Sequence, residues 1–445
     1  MYKIILTIIL LSITLRAAAQ QENYNASIDK KTYDLYMKSN REELREVGSN
    51  AIEDGIDFYF LRMRLGISYY QNENYLSSIP HFEKAVFFHP KDTIALEYLY
   101  YSYLYAGQKP DANILSKRLT PSLKRKVGYT APQFFTGAYS EAGYSFNNNY
   151  NSIKEINIPE NQVITGTRSI FKGETYLNLS LMHFLGDRVS IFHGYNNIVV
   201  NSLRQFDDII GGKKDFSASV KQNEYYFNLG VFLGKGYNLT TAIHYLNVKS
   251  EDYSPPTSLI KDFTINSTNS NELVGTIGIT KRLGHTELGY AAMFSNLNSG
   301  KQMQNTFTFV WYPLGNMNLY NVSNFVFNSN KANDSSDNIT RFILDEKFGF
   351  KLSNKFWMEA VLTVGNIFNY SEGYAFIVYN NLDKIKFKTG FNLISPISDN
   401  IELSFRYLLL SQDYGVTTTN SSFISTTKTN NLLIHKLIGG IKWTF

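Results

Sequence analysis

Residues 433–445 read LIHKLIGGIKWTF. Leu437, Ile441, Trp443 and Phe445 recur at period two, while Lys436 and Lys442 fall on the other parity. That period puts successive side chains on opposite faces of a strand. The segment is a β-strand with one apolar face, and it ends on an aromatic residue.

The same alternation starts near Phe134 and recurs in about fourteen segments, an even number, as bacterial single-chain barrels have. Examples are residues 169–184, 189–201, 216–232, 340–352 and 401–411. A tilted transmembrane strand needs about 9–11 residues, which most of the segments reach. Turns rich in Gly, Asn and Asp at 186–187, 234–236, 284–285, 315–316, 353–354 and 395–400 join them at one end. Longer connections at 148–168, 203–215, 251–271, 329–338, 369–383 and 413–431 join them at the other; 298–301 is short. Short turns at one end and long loops at the other are expected of an outer-membrane barrel. Pro132, Pro159, Pro255, Pro256, Pro313 and Pro396 all fall at strand starts, loops or turns, where a missing N–H breaks no ladder.

Composition agrees. Aromatic residues reach 15%, enough for girdles at two membrane interfaces, and charged residues stop at 18%, below the quarter or so of a soluble domain. No cysteine is present, which excludes disulfides and thiolate metal sites. The net charge is +5 without a dense basic run, so nucleic acid is not an expected partner. Lys3, the apolar stretch 4–15 and Ala17, Ala18 and Ala19 form a secretory leader, giving a signal peptide over 1–19. Beyond it no run of eighteen apolar residues occurs, so membrane integration must use strands.

Residues 28–126 have helical periodicity instead. Leu65, Gly66, Tyr69, Phe82, Ala85 and Pro90 fall at tetratricopeptide spacing, with Ser78 where two helices cross and 72–74 as the turn. Leu99, Tyr103 and Ala112 repeat part of the pattern, with a turn at 107–110, and 32–55 resembles a degenerate first hairpin. Such hairpins leave a groove suited to a partner peptide. Tyr70, Tyr101 and Tyr105 lie off the packing positions and are the candidate groove residues. Residues 120–132, with Lys124, Arg125 and Lys126, look like a linker. The expected domains are 1–19, a periplasmic helical domain over 20–127 and the barrel over 128–445. The fold class is α + β multidomain: a short tetratricopeptide-like hairpin array followed by an antiparallel transmembrane β-barrel.

This order of elements resembles tetratricopeptide-repeat outer-membrane barrel proteins of the YaiO type. It is similar, more distantly, to exopolysaccharide-export porins, whose repeat arrays are longer. The resemblance implies that Trp443 and Phe445 form the signal read by the barrel-assembly machinery. It also implies a periplasmic or envelope protein partner for the repeats.

Alternation places Phe342, Leu344, Phe348 and Phe350 toward lipid, and Arg341, Asp345, Lys347 and Lys351 inward. Glu359, Lys386, Lys388, Glu402, Arg406, Lys436 and Lys442 are further inward candidates, with Lys172, Glu174, Glu224 and Asn228 on earlier strands. Glu346 breaks the lipid-face pattern. Two readings follow. A basic-rich wall lines a path for an anionic solute or a sugar, or the charges pair across a closed lumen. The loop 369–383, with its apolar stretch 374–379, is either an inward plug or an outer contact surface. The seven histidines lack metal-ligand spacing, and neither a G-x-S-x-G elbow nor a P-loop occurs. No enzyme activity, metal or cofactor is expected. The functional expectation is passage or export of a solute or polysaccharide across the outer membrane. The alternative is a non-conducting scaffold subunit of an outer-membrane assembly or secretion complex.

Overall fold

The computed structural model describes residues 25–156, 163–208, 212–255, 262–332, 338–381, 383–420, 422 and 424–445. The leader expected over 1–19 lies outside them. The chain divides into two compact units, the first ending at Ala131 and also taking in the turn Pro313–Met317, the second holding the rest.

The first unit is a stack of helix hairpins. Helix α1 (residues 25–37) pairs in sequence with α2 (Arg41–Glu53), α3 (Tyr59–Gln71) with α4 (Tyr75–Phe88), and α5 (Thr93–Tyr105) with α6 (Lys109–Ser116). Asn74 caps α4 by accepting from Ser77 N–H at 3.0 Å, and Asp92 caps α5 by accepting from Ala95 N–H at 2.7 Å. Leu65, Phe82, Ala85 and Ala112 are fully buried. Gly66 is required where α3 meets α4, since a Cβ there would lie 2.6 Å from Phe82 Cε1. Ser78 donates to Ser102 Oγ at 2.9 Å at the α4–α5 crossing. The segment expected as a linker carries a further helix, α7 (Pro121–Lys126), capped by the Thr120 hydroxyl, which accepts from Leu123 N–H at 3.3 Å. A Thr-Pro pair followed by helix formers is an N-terminal helix signal, and it outweighs the basic composition.

The second unit is a closed antiparallel barrel of fourteen strands. They are β1 (Phe135–Asn147), β2 (Val163–Leu185), β3 (Val189–Asp208), β4 (Gly212–Gly234), β5 (Tyr237–Ser254), β6 (Thr264–Leu283), β7 (Thr286–Ser295), β8 (Gly300–Trp311), β9 (Leu319–Ala332), β10 (Asn338–Ser353), β11 (Phe356–Ile367), β14 (Ile385–Pro396), β15 (Ile401–Asn420) and β16 (Ser425–Thr444). Closure is made by β1 on β16, from Gly137 opposite Thr444 to Asn147 opposite Ile434. Large apolar side chains such as Leu179, Ile277, Phe307, Phe342, Leu362 and Phe405 stand exposed on the outward parity. A belt of this kind is stable only against lipid, so the strands span a membrane.

Most of the connections expected to be long loops continue as strand. The β3–β4, β5–β6 and β15–β16 hairpins continue their ladders far into these segments, and β2 stays paired with β3 up to Thr165 opposite Asp208. Their ladders are lined by cross-strand pairs such as Thr417–Thr427 at 2.9 Å, Ser250–Thr268 at 2.6 Å and Asn247 donating to Asn269 at 2.9 Å. Polar residues on both faces mean water on both faces, not the loss of the strand.

Candidate functional site

The connection between β11 and β14 folds into the barrel. Gly365, at φ +127°, starts the inward bend, and a Cβ there would sit 2.6 Å from the Phe342 carbonyl oxygen. Asn369, also left-handed at φ 49°, completes it. A small hairpin follows, β12 (Tyr370–Glu372) paired with β13 (Ile377–Tyr379). Its tip holds Gly373, Tyr374 and Ala375 at φ 58°, 57° and 67°. Two of those are non-glycine residues in a region that costs L-residues about 1 kcal/mol or more each, so the wall must hold the tip in place.

The wall does so through many polar contacts. Gln304 on β8 receives the Ser371 N–H at 3.1 Å and donates to the Ser371 carbonyl at 2.8 Å. Asn328 on β9 donates to the Asn369 carbonyl at 2.9 Å. His244 on β5 donates from Nδ1 to the Ala375 carbonyl at 2.6 Å, and the Tyr226 hydroxyl on β4 donates to the Tyr374 carbonyl at 3.2 Å. Asn380 donates to Gln222 and to Glu272, each at 3.0 Å. Lys388 on β14, almost wholly buried, is ion-paired to Glu372 of the hairpin. Phe376 packs edge-on against Phe192 and Tyr226. Tyr374 lies over Gly278, where a Cβ would come 2.6 Å from its ring.

Around the hairpin the lumen has two characters. One region is apolar: Ile153 of the short helix α8 (Tyr150–Glu155) packs with Ile170, Ile343, Ile367, Tyr370 and Leu408. The other is polar, and its charges are paired. Arg406 meets Glu141 at 3.2 Å, Lys436 meets Glu174 at 2.6 Å, and Lys347 meets Glu359 at 3.6 Å. Glu359 also accepts from Asn392 at 3.0 Å and from the Tyr320 hydroxyl at 2.5 Å. Glu402 and Lys442 come within 4.0 Å, both partly exposed. Asp345 accepts from Thr363 at 2.5 Å and Asn324 at 3.0 Å. Arg341 donates to the Phe368 carbonyl at 2.9 Å and stacks over the Phe368 ring. Glu224 accepts from Asn196 at 2.7 Å and lies 3.2 Å from His244 Nε2.

Two inward candidates sit differently. A bulge between Ile385 and Phe387 takes Lys386 out of the alternation, and it lies half exposed, 2.7 Å from Asp413. Lys172 is the extra residue of a bulge between Phe171 and Gly173 and is exposed. A bulge inserts one residue and so breaks the parity from which facing is read. Glu346 keeps its outward register and is satisfied there by Ser323 Oγ at 2.8 Å and Asn321 Nδ2 at 3.1 Å. Trp443 and Phe445 stand half exposed at the end of β16, with Phe445 against Phe135 at 4.9 Å. The wall amides Gln302, Gln304 and Asn328, which grip the hairpin, escape a search for charges. Their signal was polar residues at inward parity on β8 and β9.

In the helical unit Tyr70, Tyr101 and Tyr105 do come together: Tyr70–Tyr105 at 6.3 Å and Tyr101–Tyr105 stacked at 5.9 Å. Tyr75 and Tyr98 complete the cluster, at 5.3 and 5.1 Å from Tyr70. Burial, then the neighbouring phenols led by Tyr105, push the Tyr70 hydroxyl well above its ordinary value.

No known family and no curated protein matches the sequence. Among solved structures, the chain is similar to the Pseudomonas putida toluene transporter TodX, with 8% identity over 69% of this chain and 90% of that one, at a TM-score of 0.45. It is also similar to a Pseudomonas aeruginosa FadL homologue (9% identity, 77% and 93% covered, TM-score 0.41) and to a bacterial polysaccharide outer membrane secretin (10%, 69% and 98%, TM-score 0.35). These are likenesses of barrel architecture and carry nothing about cargo.

Proposed function

We propose that this protein is an outer-membrane barrel that is shut at rest by its own β11–β14 hairpin and passes a solute or polymer when the hairpin leaves. One observation carries this reading. A loop tethered at both ends to neighbouring strands folds into the lumen, and much of its hold is side-chain to main-chain hydrogen bonding, beside the apolar packing of Tyr370 and Ala375. Water can replace such bonds at a net cost of about 1 kcal/mol each, which leaves the packing of Tyr370 and Ala375 as the larger barrier to opening. The left-handed tip adds strain that release relieves.

The helical unit lies on the periplasmic side in this reading, since β1 enters the barrel at the end carrying the short turns. Its tyrosine cluster around Tyr70, Tyr101 and Tyr105 serves to dock a periplasmic or envelope partner, in the manner of tetratricopeptide repeats and of YaiO-type proteins. A second reading, a non-conducting scaffold subunit, draws on the paired charges of Arg406–Glu141, Lys436–Glu174 and Lys347–Glu359.

Planar-bilayer conductance separates the two. The native chain is expected to be almost silent. A variant with residues 370–379 replaced by a Gly-Ser linker is expected to open in stable steps. A silent linker variant that is folded and inserted refutes the gated passage and leaves the scaffold.

A further inference from the structure

We infer that the inner wall formed by β4, β5, β8 and β9 is a binding site for the main chain of an extended polypeptide, with the hairpin as its resident occupant. This rests on the reading that the hairpin can leave the lumen. The wall grips the backbone of what it holds at several points, alongside its side chains. Gln304 takes both the N–H and the C=O of Ser371, reproducing one rung of a β-ladder with a side-chain amide. Asn328 and Gln302 both donate to the Asn369 carbonyl. Tyr226 and His244 take the carbonyls of Tyr374 and Ala375, and Asn298, in the β7–β8 connection, takes that of Asn380 at 2.9 Å. Ser371 offers its N–H and C=O from an extended stretch, whereas Asn369, Tyr374 and Ala375 offer carbonyls at bends, so the rung at Ser371 is the part that any extended peptide reproduces.

A second observation points the same way. The side-chain oxygens of Gln302 and Asn328 are buried and have no hydrogen-bond partner among the described residues. A buried acceptor without a donor is costly, at about 1–3 kcal/mol. Both amides already donate to a main-chain carbonyl, so the missing groups are N–H donors. A strand that ran straight past Asn369, in place of one that turns there, would supply them. The side-chain contacts add two preferences: an acidic residue opposite Lys388, as Glu372 is, and an aromatic residue against Phe192 and Tyr226, as Phe376 is.

The test uses the full-length chain with residues 370–379 replaced by a Gly-Ser linker, which vacates the wall and keeps Lys388 opposite the peptide's Glu372, in a planar bilayer. A synthetic peptide of residues 368–381, the same peptide N-methylated at Ser371, and maltohexaose are added in turn. The plain peptide is expected to block the current saturably, and the methylated peptide to need about tenfold more, as loss of one well-placed hydrogen bond predicts. Gln304→Leu in the same background is expected to erase that difference, and the sugar to leave the current unchanged. Equal block by both peptides, or block by maltohexaose at peptide concentrations, overturns the inference. Anisotropy of the fluorescein-labelled peptide with the same variants in detergent reads it even when no current flows. Absence of saturable binding there also overturns it, whereas saturable binding to a barrel that never conducts refutes only the gated passage.

Discussion

Lys388→Met is the sharpest way to loosen the hairpin. The Lys388 side chain retains 6% of its exposure and that of Glu372 15%, so the pair lies out of bulk water. Lys388 also donates to the Tyr379 hydroxyl at 3.2 Å, so its loss removes a contact with β13 as well as the one with β12. Removing one partner of a buried pair costs about 3–5 kcal/mol, mostly because the other charge is left uncompensated. Glu372 escapes that penalty if the hairpin moves into water, while the rest of the barrel gains nothing from opening. The seated-to-released ratio should therefore fall by roughly two to three orders of magnitude, at about 1.4 kcal/mol per decade. The chain has no cysteine, so Val378→Cys on β13 provides a unique, partly buried thiol against the apolar cluster that holds Leu246, Val274 and Met293. Its modification by an impermeant maleimide is expected to accelerate in proportion to the released fraction. Adding Glu372→Met to Lys388→Met removes both charges, and apolar replacement of a whole buried pair is often neutral. That double variant is expected to label close to the parent rate. A single variant that labels within about threefold of the parent, or a double as fast as the single, would refute the argument.

Gln304→Leu removes two bonds to Ser371 and strands both main-chain groups; labelling at Val378→Cys should rise at least about tenfold, and an unchanged rate would show that the amide is a bystander. Gly278→Ala puts a methyl 2.6 Å from the Tyr374 ring and 3.0 Å from the Tyr290 carbonyl oxygen, so the tip must shift at about 1–3 kcal/mol, raising the frequency of brief openings; a silent, normally folded variant would count against it. When the hairpin leaves, Glu372 goes with it and Lys388 stays, so reversal potentials should show a mild anion preference in released native channels that Lys388→Met abolishes; preference retained in the variant would place it elsewhere. In the helical unit, burial and then the Arg62 guanidinium push His81 from 6.5 down to about 4. Its neutral form is the folded one, so its contribution is complete above pH 6.5 and lost as pH falls toward 4, on the order of 2 kcal/mol once partial exposure is allowed for. Amide exchange across α3 and α4 should show that slope, and His81→Phe should flatten it; an equal slope in the variant sinks the assignment.

The barrel was legible because period-two patterning survives every change of residue type that keeps an apolar outer face. Strand identity on β10 could be read from Phe342 and Phe348 alone. Strand length could not, because the Thr- and Asn-rich stretches of β15 and β16 carry no face contrast, although their ladder continues to Thr419 opposite Ser425. Facing failed at Lys386 and Lys172, where single inserted residues break the parity without any mark in composition. The choice between plug and open path had a readable clue. Leu408, Leu409 and Leu410 on β15, and Leu432, Leu433 and Ile434 on β16, are apolar on both parities. A strand with one face in lipid and the other in water alternates, and a continuous apolar run means that both faces are dry. Leu408, Leu410, Leu432 and Ile434 do pack in the lumen, against Tyr370 and Ile153.

The contacts that hold the hairpin explain why its sequence alone did not declare its place. At membrane depth an irregular segment is tolerated only where each buried main-chain polar group finds a partner. The wall meets that requirement from its own side, with Gln304, Asn328, His244 and Tyr226 aimed at carbonyls and an N–H that every residue possesses. The information for docking is therefore written mainly in β4, β5, β8 and β9, as polar side chains on the inward parity. The hairpin itself contributes one acid, the rings of Tyr370, Tyr374, Phe376 and Tyr379, and a turn that can enter αL. A wall that holds main chain discriminates among competing chains only through such side chains. The same chemistry that shuts the barrel thus sets what can compete to open it: a segment that matches the rungs, meets Lys388 with a carboxylate, and leaves fewer of the wall's acceptors bare.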